Sequence, residues 1–122
     1  MEIKAMVVRE KHGRCSCDEV DLDQPRDDEI IVRVVATGIC HSDISVIGQI
    51  YPFPLPIVVG HEGAGIVERV GRNVTYVRAG DKVVMSSNSC GACHNCVTDH
   101  SAYCKLFVPG AVIRTGGSPS AH

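Results

Sequence analysis

Residues 29–36, EIIVRVVA, are almost wholly β-branched and apolar, with Arg33 the one charge inside the run after Glu29. Side chains that branch at Cβ fit a pleated surface and crowd a helix, so this segment is predicted to be a strand. The polar run 24–28 bounds it on one side and Gly38 on the other. Working outward, residues 3–8 (IKAMVV), 66–70 (IVERV) and 82–85 (KVVM) have the same character. Turn signals separate them at Gly13, at Gly38, at Gly71-Arg72-Asn73 and at Ala79-Gly80-Asp81. Short strands with turns at this spacing predict a mainly β chain, a barrel or a sandwich. Only His41–Ile47 reads as a turn of helix. Pro52, Pro54 and Pro56 make YPFPLP an extended loop, because proline and the residue before it both resist helix. Residues 89–104 show no periodicity and hold several cysteines, which predicts a loop organised by metal. No internal repeat is present.

Composition narrows the class. Hydrophobic residues make up 44% and charged residues 21% of 122, an ordinary balance for one folded domain. The net charge of −2 comes with no basic stripe, so nucleic acid is not an expected partner. The N-terminus is interrupted by charges at Glu2, Lys4, Arg9, Glu10 and Lys11 and does not read as a signal peptide. No run approaches the roughly 20 apolar residues of a membrane span, so no membrane partner is expected either. The expected location is the cytoplasm, where seven cysteines are more readily metal ligands than disulfides.

Four of the seven form a motif, Cys90-Gly-Ala-Cys93-His-Asn-Cys96 followed by Cys104, with spacing C-x2-C-x2-C-x7-C. Four thiolates are the ligand set of a closed, tetrahedral structural zinc site, with sulfurs about 2.3 Å from the ion. Gly91 frees the backbone inside the first turn. An iron–sulfur cluster would also take four thiolates, but the bacterial run leaves three residues before its last cysteine and continues into proline. Here seven intervene and Lys105 follows. His94 and His100 lie inside the lobe and are expected to face solvent, although His94 is a donor that could replace a cysteine. Cys15 and Cys17 fall in a strand or hairpin far upstream and are expected to be structural.

A second constellation is Cys40-His41-Ser42-Asp43 with Gly60-His61-Glu62-Gly63. A lone cysteine after a strand is most often a small buried hydrophobe, and a lone histidine a hydrogen-bonded structural residue. Sulfur, imidazole and carboxylate together make the mixed set of a catalytic zinc, which keeps one position open. Asp43 and Glu62 could orient the histidine or bind the ion themselves. Ser42 could carry a proton. Gly63-Ala64-Gly65 begins like a dinucleotide fingerprint, but Glu68 stands where the third glycine belongs and no helix pattern follows.

The segments GICHSDISVIGQ, LPIVVGHEGAGIVERVG, AGDKVV and CGACHNCVTDHSAYC occur in one order at one spacing. As a set they resemble the N-terminal part of the zinc-dependent alcohol dehydrogenases of the medium-chain dehydrogenase/reductase superfamily. MEIKAMVV and ATGICHSD look most like the aryl (benzyl) alcohol branch. The resemblance covers roughly residues 1–107. It implies a GroES-like, partly open β-barrel with a projecting four-cysteine zinc lobe at about residues 89–105. It also implies roles. Cys40 and His61 match two catalytic zinc ligands, and Glu62 the adjacent carboxylate. Ser42 matches the proton relay and Asp43 the acid behind the zinc histidine. His41 stands where a basic residue meets the cofactor pyrophosphate, and Cys90, Cys93, Cys96 and Cys104 match the structural zinc set. The implied reaction is NAD- or NADP-linked oxidation of a primary, aromatic-type alcohol to its aldehyde, by a homo-oligomer.

Two family features are missing from the sequence. No cysteine follows Cys104 to serve as a third catalytic ligand, and no βαβ unit with a glycine-rich turn supplies a Rossmann domain. Residues 108–122 (VPGAVIRTGGSPSAH) do not resemble the family's continuation. They are expected to be an irregular tail from truncation or an altered reading frame. The expectation is therefore a catalytic-domain fragment that is inactive alone. The alternative is a stand-alone zinc-binding module without catalytic activity.

Overall fold

The structure is a computed structural model that describes residues 1–85 and 89–105. Six strands, two short helices and one 3-10 turn follow in the order β1 (Glu2–Val8), β2 (Ser16–Asp21), β3 (Ile30–Thr37), α1 (His41–Ile47), β4 (Ile57–Val58), β5 (Gly63–Val70), β6 (Lys82–Val84), α2 (His94–Val97) and the turn Ser101–Tyr103. All pairing is antiparallel, in two three-stranded sheets of order β2-β1-β4 and β3-β5-β6. The mainly β expectation is met. The 29–36 run is β3, shifted by one residue at each end. Helix α1 has the expected limits.

Three segments differ from expectation. Strand β5 starts at Gly63 rather than at residue 66, because Gly63, Ala64 and Gly65 pair with Thr37, Ala36 and Val34 of β3 whatever their low strand propensity. Strand β4 was not anticipated, since two residues pairing with Val7 and Val8 leave no pattern of their own. The 89–104 loop contains α2 and the 3-10 turn, both too short to show a helical period. The tail 108–122 lies outside the described residues.

The core is small and built of branched aliphatics. Val8, Val46 and Ile57 form one buried cluster, with Cys15, Ile47, Phe53, Leu55 and Val59 packed against it. This cluster joins β1, α1 and β4. In the other sheet Ile31, Gly65 and Val67 are buried from β3 and β5, while Val34 and Val35 remain exposed. No helix among the described residues is long and apolar enough to cross a membrane.

What the fold contributes to the site is a register. Thr37 at the end of β3 pairs with Gly63 at the start of β5. The chain leaving β3 therefore passes beside the chain entering β5. Cys40 caps α1 just after one, and His61 and Glu62 lie just before the other.

Candidate metal centres

The first donor set is Cys40, His61 and Glu62, whose ligand atoms lie within 4.8 Å of one another. Asp43, third residue of α1 and only 9% exposed, organises the surroundings. Its Oδ2 accepts the Cys40 N–H at 2.9 Å, as an acidic residue in a helix's first turn does for the cap. Its Oδ1 accepts the Gly60 N–H at 3.1 Å and lies 3.6 Å from His61 Nδ1. With Nδ1 turned to the carboxylate, Nε2 is the face left for a ligand. Ser42 Oγ is 3.5 Å from that Nε2. His41 is the exposed first residue of α1. Beside the set, Thr37, Gly38, His61, Glu62 and Met85 line an open depression of about 560 Å³.

The second donor set is Cys90, Cys93, Cys96 and Cys104, again within 4.8 Å of one another. Cys104 is buried at 6% exposure and the other three are half-buried. Backbone N–H groups point at the sulfurs: Cys93 N donates to Cys90 Sγ and Cys90 N to Cys104 Sγ, both at 3.3 Å. Gly91 takes φ +69° inside this turn, a conformation that suits a residue without Cβ. The Lys105 and Cys96 backbones hold the Cys93 thiol down to about 6, so it is ready to be a thiolate. Cys96 is pushed up to about 11, first by burial and then by the Cys93 thiol, 3.4 Å away. The lobe is closed by Asn95 Nδ2 donating to Tyr103 O at 2.5 Å and His100 N donating to Asn95 O at 2.8 Å.

Seven of the sulfur, imidazole and carboxylate ligand candidates named above from the sequence, all but Asp43 and His94, fall into these two sets. His94 is exposed and stands outside the tetracysteine set. Cys15 packs against the core and Cys17 is exposed on β2, and neither joins a donor set. Gly63-Ala64-Gly65 lies within β5, not in a strand-to-helix turn. The sequence reading passed over the Gly60 N–H, which acts through its backbone, and Thr37, whose hydroxyl donates to Glu62 O at 2.7 Å. Nothing in the sequence marks either.

Among the described residues, a small antiparallel β structure carries one mixed Cys/His/Glu set and one tetracysteine lobe, each of which could hold a metal ion. The chain belongs to the alcohol dehydrogenase GroES-like domain family, whose model matches residues 26–120. It is 42% identical over 106 residues to a geraniol dehydrogenase of Castellaniella defragrans, covering 87% of this chain and 28% of that protein. It is also 42% identical over 120 residues to an NDMA-dependent alcohol dehydrogenase of Amycolatopsis methanolica, covering 98% and 32%. Among solved structures it resembles an alcohol dehydrogenase zinc-binding domain protein from Burkholderia ambifaria, with TM-score 0.89, 45% identity and coverage of 98% and 32%. The benzyl alcohol dehydrogenase of Acinetobacter calcoaceticus gives TM-score 0.88, 42% identity and coverage of 100% and 33%. The fold is therefore GroES-like, and the chain spans about a third of the length of these relatives.

Proposed function

We propose that this chain is the catalytic-domain part of a zinc-dependent alcohol dehydrogenase whose complete reaction oxidises a primary, aromatic-type alcohol to its aldehyde with NAD or NADP. The observation that carries the reading is the convergence of Cys40, His61 and Glu62 within 4.8 Å beside a serine hydroxyl. Soft sulfur, imidazole and carboxylate suit zinc, and a set of three leaves a position for substrate. A zinc ion held there would supply Lewis acidity toward the alcohol oxygen. Asp43 keeps His61 in the tautomer and orientation that leave Nε2 free to bind. Ser42 Oγ, beside that nitrogen, can take and pass on the alcohol proton. His41, exposed at the start of α1, offers a cationic group to a cofactor phosphate when protonated.

Cys90, Cys93, Cys96 and Cys104 would hold a second zinc with no open position. Its role is folding, since the lobe has little apolar core, and such binding is worth on the order of 10 kcal/mol. The described residues pair only antiparallel and hold no βαβ unit for a dinucleotide. This polypeptide on its own is therefore expected to leave benzyl alcohol and NAD or NADP unchanged. Elemental analysis of protein purified without chelator tests the reading: two zinc ions per chain are expected from the two donor sets. One or none would remove the open centre and with it the dehydrogenase assignment. The rival reading, a zinc-binding module with no catalytic role, draws on that same missing βαβ unit. Joining the chain to the nucleotide-binding part of a relative separates the two: turnover supports the first, and a folded, zinc-loaded, inactive fusion the second.

A further inference from the structure

Glu62 is fixed at its root. Its backbone carbonyl accepts two hydrogen bonds, from Gly38 N at 2.9 Å and from Thr37 Oγ1 at 2.7 Å. From that root the side chain passes directly over the Cα of Gly38. A Cβ at position 38 would stand 3.2 Å from Glu62 Cβ and 3.3 Å from Cδ, and it would overlap Oε2. Gly38 does not adopt a left-handed φ, so its backbone does not call for glycine. What the missing side chain supplies is room, and the group that occupies the room is a carboxylate.

We propose that Gly38 is a positioning residue for the first donor set: its bare Cα is the slot that lets the Glu62 carboxylate reach Cys40 Sγ and the His61 ring. Without the slot the set falls to sulfur and imidazole alone. The inference rests on reading Cys40, His61 and Glu62 as a metal site, and it assigns the third donor's placement to a residue with no donor atom. A methyl group at 38 overlaps the free end of Glu62, which can swing away, and asks Glu62 Cβ to give by only a few tenths of an ångström. The strand pairing that roots Glu62 does not have to move. The substitution is thus local to the carboxylate.

The test is a double-substitution cycle on the full 122-residue chain, its lobe loaded with zinc and its first set titrated with Co2+. The readouts are the visible cobalt bands, which report ligand number and geometry, and the affinity in competition with a chelator. Gly38→Ala and Glu62→Ala are each expected to weaken Co2+ binding by about tenfold or more, in the range found for groups that hold ligands in place. Their cobalt spectra should agree, and the double variant should bind no more weakly than either single one, because coupled residues are not additive. Thermal melting of metal-free Gly38→Ala should match the unsubstituted chain. Unchanged affinity and spectrum in Gly38→Ala, full additivity in the double variant, or an unfolded Gly38→Ala would each overturn the slot. Failure of the unsubstituted chain to take up Co2+ beyond the lobe is a different result, and it overturns the metal site as well.

Discussion

His61 and Asp43 face each other where the loop entering β5 meets helix α1, with Nδ1 3.6 Å from Oδ1. The same carboxylate accepts the N–H of Cys40 at 2.9 Å and of Gly60 at 3.1 Å. One buried side chain therefore ties together the backbone on both sides of the first donor set. It fixes the ring of one donor and the helix cap that carries another.

Asp43→Asn tests that arrangement. The amide keeps the shape but loses the charge, and its NH2 must face at least one N–H that the carboxylate accepted. Metal affinity of the first set is expected to fall by about 10- to 100-fold. Stability should fall by about 1–3 kcal/mol, the range for leaving a buried polar group unsatisfied. Chelator competition and denaturant unfolding measure the two separately. Lower stability with unchanged affinity would leave Asp43 a helix-cap residue only.

The two donor sets should be separable. Cys93→Ser is expected to empty the lobe and open residues 89–105 to protease while the first set keeps its ion. His61→Ala should remove only the first ion. Zinc per chain, by elemental analysis, reads both. If either substitution emptied both sets, the centres would be coupled rather than independent.

The lobe thiols should titrate apart. Cys93 lies below the ordinary thiol value of 9.0, at about 6, and Cys96 above it, at about 11. For Cys93 the lowered value means a stabilising contribution that is complete above 9.0 and lost as pH falls through about 6. For Cys96 the raised value means a contribution complete below 9.0 and lost as pH rises toward about 11. In the metal-free chain, alkylation followed by peptide mapping should label Cys93 with a midpoint near 6 and leave Cys96 slow until well above 9.0. A common midpoint near 9.0 would show that the backbone N–H groups do not act on Cys93.

Val8→Ala should loosen the junction of β1, α1 and β4. Val8 is fully buried and packs with Val46 and Ile57. Loss of two methyl groups and the cavity they leave predicts a cost of about 2 kcal/mol. Denaturant unfolding of the zinc-loaded chain measures it. A change within about 0.5 kcal/mol would place the stabilising core elsewhere.

Much of the architecture is legible because β-branched runs announce themselves. The segment 29–36 is a strand on composition alone, and His41–Ile47 is helical between a capping position and Gly48. Strand β4 was illegible because its two residues take their conformation from Val7 and Val8. The helical turns α2 and Ser101–Tyr103 were illegible because a single turn has no period to read.

The donors followed a similar division. Spacing in the chain was enough to group Cys90, Cys93, Cys96 and Cys104, since two residues between ligands bring sulfurs together by local geometry. For Cys40, His61 and Glu62 the sequence supplied the residue types and their order. Their convergence was decided by the antiparallel register of β3 on β5, which sets Thr37 opposite Gly63 and so brings two distant loops to one point. Which atoms face one another was decided there too: His61 Nδ1 faces Asp43, and the empty space above Gly38 admits the Glu62 carboxylate. Residue chemistry is written locally in a chain, whereas distances between remote segments arise only from strand pairing and packing.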